Sequence, residues 1–251
     1  MNNFVILSSH RVGSTLLRES LGSHSKLKVL GEFFDWGGGY WSSFRNDFLL
    51  DMGENPSSLN NTTDCSHVIE NIFKKYNGFK IHRYQPYMRD YSCKGCQLSL
   101  DNPSWKYIAD NSKIIFMYRQ NKIKQFISLE LALLSNIHHL RRGKDHIKYE
   151  KISINLKNFE YFLSREKEEE KTFLEMIPKD ESRIIKISYE ELTKDLNESF
   201  LLIQKFLNIE PETLTVYNKK LNNKTVEQSV LNYNELVEFV KNTEYEYMVY
   251  E

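Results

Sequence analysis

The sequence predicts an α/β fold, a parallel sheet with helices on both faces. Three observations lead there: short runs of branched apolar residues, longer stretches with apolar residues at steps of three and four, and the alternation of the two along the chain.

Phe4-Val5-Ile6-Leu7 reads as a strand buried on both faces, and Ser8 and Ser9 end it. Leu16, Leu17 and Leu21 then recur at helical spacing, with Ser14 or Thr15 expected to cap the first turn. Lys28 to Gly31 is a second brief strand. It leads into an aromatic and glycine-rich stretch, "EFFDWGGGYWSSF" from Glu32 to Phe44, predicted to line an active site, with Trp36, Tyr40 and Trp41 available to stack on a ring or pack on a chain. Val68, Ile69, Ile72 and Phe73 mark a helix, "GFKIH" (78–82) a strand, and Asn102-Pro103-Ser104-Trp105 the start of a short helix. "KIIFMY" (113–118) is the clearest strand, and Arg119 follows it. A helix is predicted from Asn121 to Arg141 and another from Leu156 to Ile177, whose "REKEEEK" run reads as a solvated face without function. "RIIKIS" (183–188) is a further strand, and Tyr189 to Leu207 a single helix.

A chain of 251 residues is expected to form one domain, 1–251. Lys+Arg and Asp+Glu are both 34, and the zero net charge gives no bulk attraction to nucleic acid or to an anionic membrane. No run of about 18 apolar residues spans a bilayer, and the chain reads as cytoplasmic. Three cysteines are too few and too unevenly placed for a disulfide framework, and Cys93-Lys94-Gly95-Cys96 lacks a second ligand pair, so no metal is expected. The segment from Tyr91 to Leu100 reads as an insertion near the mouth of the site.

Ligands of such sheets bind at the C-terminal ends of the strands. That places Arg11 with Gly13-Ser14-Thr15, Glu32, Lys80 with His82, and Arg119 around one crevice. Gly13 at a helix N-terminus lets an anion approach free backbone N–H groups. Arg11 and Arg119 add positive charge, and Glu32 or His82 can take a proton from a hydroxyl. A magnesium-nucleotide phosphotransferase would show Gly-x-x-x-x-Gly-Lys-Ser/Thr and a carboxylate for the metal. Here the loop is Ser9-His10-Arg11-Val12-Gly13-Ser14-Thr15.

Three segments resemble the sulfotransferases that use 3′-phosphoadenosine-5′-phosphosulfate (PAPS). "SSHRVGSTLL" is similar to the family's 5′-phosphosulfate loop, with Arg11 at the basic position. "YRQNKIKQFISLELA" from Tyr118 is similar to the 3′-phosphate motif of the bacterial carbohydrate-type branch, whose arginine and serine match Arg119 and Ser128. "LNNKTVEQSVLNYNELVEFVKNTEYEYM" (221–248) is similar to the segment closing over the nucleotide.

The resemblance implies a P-loop-like three-layer fold and a nucleotide held by Arg11, Val12, Gly13, Ser14, Thr15, Arg119, Ser128, Lys220 and Lys224. It also implies transfer of a sulfuryl group to an acceptor hydroxyl on a carbohydrate or glycolipid, with 3′-phosphoadenosine-5′-phosphate (PAP) as product. Arg11 and Lys80 would assist the transfer. Glu32 matches the base proposed in the carbohydrate branch, while Lys80-Ile81-His82 resembles the lysine-x-histidine of the cytosolic enzymes, whose histidine is the base. His10 stands where the bacterial loop usually has proline. The competing readings are a P-loop kinase-like phosphotransferase and a non-catalytic nucleotide-binding module.

Overall fold

The computed structural model describes residues 3–34, 42–59, 63–82, 102–135, 140–141, 151–176, 178–219 and 224–251. Four parallel strands make the main sheet. They are β1 (Phe4–Ser8), β2 (Gly78–His82), β3 (Lys113–Tyr118) and, after the two-residue β4 (Leu140–Arg141), β5 (Ile184–Ser188), in the order β2-β1-β3-β5. β4 pairs antiparallel with β6 (Asn218–Lys219) in a separate ribbon.

Helix α1 (Ser14–Leu21) follows β1, and α2 (Ser42–Asp51) and α3 (Ser66–Lys75) precede β2. Helix α4 (Ser104–Asn111) leads into β3, α5 (Lys122–Ser135) leaves it, and α6 (Leu156–Met176) precedes β5. Helices α7 (Tyr189–Lys194) and α8 (Leu196–Phe206) follow β5, and α9 (Val226–Ser229) and α10 (Tyr233–Val240) come later. Among the described residues, no helix is long and apolar enough to cross a membrane.

The two-residue period of the strands sorts the core. Val5, Leu7, Phe79, Ile81, Ile114 and Phe116 pack on α3 and α4, whereas Phe4, Ile6, Ile115, Met117 and Ile187 pack on Leu17 and Leu21 of α1 and Phe200 and Ile203 of α8. Helices therefore cover both faces, as the apolar runs require. A further cluster joins Ile123, Phe126 and Ile127 of α5 to Phe159 and Phe162 of α6 and Leu236 and Val240 of α10. The register aligns Ser8 with His82 and Met117, and Tyr118 with Ser188, so all four C-terminal strand ends share one edge of the sheet. Because β2 lies on one side of β1 and β3 on the other, the strand order reverses between β1 and β3.

Four expectations change. Lys28–Gly31 makes one parallel bridge, Val29 to Gly78, and donates or accepts a few backbone bonds along β2, so it is an extended edge segment rather than a strand. The predicted 189–207 helix breaks at Asp195. This residue is extended (φ −142°, ψ 102°), and its carboxylate accepts the Glu198 N–H and starts α8. The helix after β3 is described only to Ser135, and Leu140–Arg141 are a strand. Neither Ser14 nor Thr15 caps α1: the capping position is Gly13, with no side-chain bond. Trp36, Tyr40, Trp41, the 91–100 segment with Cys93 and Cys96, and Lys220 lie outside the described residues.

Gly78 shows how tightly β2 sits on β1. A Cβ there would meet the fully buried Phe4 ring at 2.7 Å, and the ring has no room to move. We expect Gly78→Ala to destabilise the protein by about 1–3 kcal/mol, with part recovered in Phe4→Leu/Gly78→Ala, both read from urea midpoints.

Candidate active site

The loop after β1 is built on two left-handed residues. Gly13 has φ 81°, and a Cβ there would also lie 2.8 Å from the Tyr189 ring, so both backbone and packing select glycine. Arg11 has φ 62°, a conformation that costs a non-glycine residue about 1 kcal/mol. Bonds on either side fix it. Gln125 Nε2 donates to the His10 carbonyl (2.9 Å), and Arg119 Nη1 donates to the Arg11 carbonyl (3.2 Å). The first intrahelical bond of α1 runs from Leu17 N–H to Gly13 C=O (3.1 Å), leaving the N–H groups of Ser14, Thr15 and Leu16 without partners inside the helix. A strand, a strained turn and an uncapped helix N-terminus make a cradle for an anion.

Beside it stands a buried acid–base cluster. Strand alternation puts Gly78, Lys80 and His82 on the same face as Phe4, Ile6 and Ser8, which is the α1 side. The edge segment, bonded through Lys80 N–H to Gly31 C=O (3.2 Å), delivers Glu32 to them. Glu32 Oε1 receives Lys80 Nζ at 2.6 Å and His82 Nε2 at 3.0 Å. Lys80 Nζ also donates to Thr15 Oγ1 (2.9 Å), and His82 Nδ1 lies 3.1 Å from Ser8 Oγ. Burial alone would raise the Glu32 pKa, but the facing His82 and Lys80 charges override it and hold the carboxyl far below the usual carboxylate range. Burial pulls the Lys80 pKa down against the pull of Glu32. The His10 ring stacks on His82 (centroids 4.3 Å apart), and burial, reinforced by His82, holds its pKa well below that of a free imidazole.

The other side of the crevice lies across the β1/β3 reversal. Arg11 Nε donates to Ser128 Oγ (3.1 Å), joining the loop to α5. The Arg119 guanidinium lies over the Tyr189 ring, 4.5 Å from its centroid, and its Nε, without a hydrogen bond, is 3.7 Å from Glu190 Oε1. The Glu190 carboxylate accepts the Gln120 N–H (2.9 Å) and the Asn121 N–H (3.2 Å).

The structure thus brings together Arg11, Gly13, Ser14, Thr15, Glu32, Lys80, His82, Arg119 and Ser128. Val12 is wholly buried in the core, so only its backbone faces the loop. Lys224 is exposed just before α9. Sequence reading missed Ser8, Tyr189 and Glu190, which touch His82 or Arg119, and Gln125 and Glu166, which touch Ser9 or His10 of the loop. Gln125 carried a signal, since it lies one turn before Ser128 on α5; Tyr189 carried another, since it follows β5 as Arg119 follows β3. Burial pushes the Cys65 thiol up to about 12 and leaves it unreactive.

No protein-family model and no curated protein matches the sequence. Solved structures do. The sulfotransferase domain from the curacin biosynthetic pathway aligns with a TM-score of 0.56 at 18% identity, over 98% of this chain and 88% of its own. A sulfotransferase from Alicyclobacillus acidocaldarius aligns at 0.52 and 12% identity, over 99% and 96%. The chain has the sulfotransferase fold. The sulfotransferase domain of the Synechococcus PCC 7002 olefin synthase aligns at 0.50 and 18% identity, over 84% of this chain and 74% of its own. In this P-loop-like α/β fold, the parallel sheet with helices on both faces matches the architecture expected from sequence.

The Glu32 pairing has a pH signature. A carboxyl whose folded pKa lies below its unfolded value, about 4.3, contributes stability that is fully present above that value and is lost as pH falls below it. Glu32→Gln should cost about 3 kcal/mol at pH 7 by leaving Lys80 buried without its counter-charge. The gap to wild type should narrow between pH 5 and pH 3, in urea titrations at each pH. A gap independent of pH would mean that Glu32 contributes no titratable charge.

Proposed function

We propose that this chain is a PAPS-dependent sulfotransferase acting on an acceptor hydroxyl. The observation that carries the reading is the bond between Arg11 and Ser128 across the strand-order reversal. It unites the loop of an uncapped helix with the α5 residues of the second motif, beside a carboxylate–imidazole pair. The donor set fits a nucleotide with anionic groups at two positions. Arg11 and the N–H groups of Val12 to Thr15 hold the 5′ side, and Arg119 with Ser128 holds the 3′-phosphate, with Lys220 and Lys224 completing that set as the resemblance implies. Bound PAPS supplies the sulfuryl group and leaves as PAP.

The remaining chemistry belongs to the chain. Arg11 and the α1 N-terminus face the charge released on the leaving side, which preorganised donors stabilise most in the transition state. Glu32 stays ionised because Lys80 and His82 hold Oε1, and its other oxygen takes the proton of the acceptor hydroxyl. Low proton affinity is no obstacle, since that hydroxyl becomes strongly acidic as its oxygen bonds sulfur. His82 is kept in place by Ser8, Glu32 and the His10 ring, so the two sequence candidates for the base work as one unit. Lys80, tied to Thr15, couples that unit to the loop. A magnesium-nucleotide reaction is the weaker alternative, because Glu32, the carboxylate beside the loop, is already paired with the Lys80 ammonium and in contact with His82 Nε2.

The acceptor class that follows from the resemblance is a carbohydrate or glycolipid hydroxyl in the bacterial branch, handled in the cytoplasm by a single domain. A lipid or polyketide chain, the other guest that the aromatic residues of the 33–44 stretch suit, belongs in the same substrate panel.

PAP should raise the melting temperature without added metal, and ATP with magnesium should not. Arg119→Ala should weaken PAP by about 1.5–3 kcal/mol while leaving adenosine 5′-phosphate nearly unaffected. Equal preference in mutant and wild type would remove Arg119 from the 3′-phosphate site.

With any acceptor in hand, Glu32→Gln and His82→Asn should each lower kcat by roughly two to four orders of magnitude, and the double variant should fall no further than the worse single one. Multiplicative losses in single-turnover experiments would show two independent roles instead.

A further inference from the structure

The charged run on α6 holds one residue that does not belong on a solvated face. Glu166 is 4% exposed, and it lies against the loop after β1. Its Oε2 accepts from Ser9 Oγ (3.2 Å), Gln125 Nε2 (3.3 Å) and Lys122 Nζ (3.4 Å). Gln125 Nε2 also donates to Ser9 Oγ (3.0 Å) and to the His10 carbonyl (2.9 Å), so two amide hydrogens serve three acceptors, and Gln125 Oε1 is buried without a hydrogen bond. An amide in that position has one useful orientation, and the carboxylate selects it.

We infer that Glu166 is a positioning residue for the anion loop: through Ser9 and Gln125 it holds the strained turn at Arg11. A left-handed arginine persists only where its surroundings over-determine it. The carbonyl just before Arg11 is pinned by Gln125, and the carbonyl of Arg11 itself by Arg119. Lys122 neutralises the buried carboxylate, and its second, looser partner is Glu170 at 3.9 Å on the next turn of α6. Lys122, Gln125 and Ser128 follow one another at steps of three on α5, so a single stripe of that helix reads Glu166, the loop backbone and Arg11 in succession. The clamp is a feature of the ligand-free chain, and only its effect on PAP rests on the proposed function.

Hydrogen exchange of the ligand-free protein over residues 8–17 tests it directly. Glu166→Ala and Gln125→Ala should each speed exchange at His10 to Gly13 by about tenfold. Glu166→Gln, whose amide oxygen still accepts from Ser9 and Gln125, should recover most of the protection, and Glu170→Ala should match wild type. PAP should bind Glu166→Ala and Gln125→Ala about tenfold more weakly, with no further loss in the double variant. A folded Glu166→Ala protein with wild-type exchange in the loop would overturn the inference, as would Glu170→Ala behaving like Glu166→Ala. If Glu166→Ala does not fold, Gln125→Ala decides alone, and unchanged loop exchange there overturns the clamp. If wild type itself does not bind PAP, the sulfotransferase reading fails while the exchange comparison still decides the role of Glu166.

Discussion

An ammonium group inside a protein stays charged only if counter-charge and hydrogen-bond acceptors surround it. Lys80, 2% exposed at the middle position of β2, meets that requirement with the Glu32 carboxylate on one side and the Thr15 hydroxyl on the other. These partners come from different parts of the chain, the edge segment beside β2 and the first turn of α1. Satisfying one buried cation therefore fixes three pieces of the site. The same carboxylate oxygen takes His82, so the placement of Lys80 also sets the imidazole. The pair is best understood as specifying an arrangement, because burying two charges gives little net stability even when their contact is short.

The second framework is backbone geometry. Aligned strand ends bring Ser8, His82, Tyr118 and Ser188 to a common edge, and the chain leaving β1, β3 and β5 carries polar groups of the site, Arg11, Arg119 and Tyr189 with Glu190. Between β1 and β3, where the strand order reverses, Arg11 and Arg119 meet. Their contact is unusual for two cations: one guanidinium donates to the other residue's carbonyl, and each side chain finds an uncharged or anionic partner of its own, Ser128 for Arg11 and Tyr189 with Glu190 for Arg119. Positive charge is concentrated there by the fold, although the chain as a whole carries none in excess.

Much of this was legible in the letters. The strand at 113–118 ends where its apolar run ends, because a run with both faces buried has no exposed side to blur its edges. Arg11, Gly13, Glu32, Lys80, His82 and Arg119 were readable because strand-end residues of a parallel sheet converge by topology, whereas Ser128, on α5, came only from the resemblance of its segment to the 3′-phosphate motif. What stayed hidden was pairing between residues far apart in sequence. Nothing local tells Glu166 from the other acids of "REKEEEK"; only the packing of α6 on α5 buries it. Nothing local says that Lys28–Gly31 will meet a partner on one side only and so remain an edge. Asp195 was a missed local signal, since an aspartate three residues before a glutamate commonly opens a helix, and it divides what periodicity alone makes continuous.

Glu32 and His82 looked like rivals while each was judged by residue type. In the fold they share a contact, and under the proposed function the rivalry turns into a division of work. A carboxylate flanked by Lys80 and His82 is a weak base in equilibrium terms, and strength is not what a reaction needs when the proton becomes acidic only as the new bond forms. Position is needed, and the cluster provides it on both sides of the carboxylate: Ser8 and the His10 ring restrain the imidazole, and Thr15 restrains the lysine. The His10 ring supplies a stacking face for His82, while Gln125, itself bonded to Glu166, holds the His10 carbonyl from outside the loop.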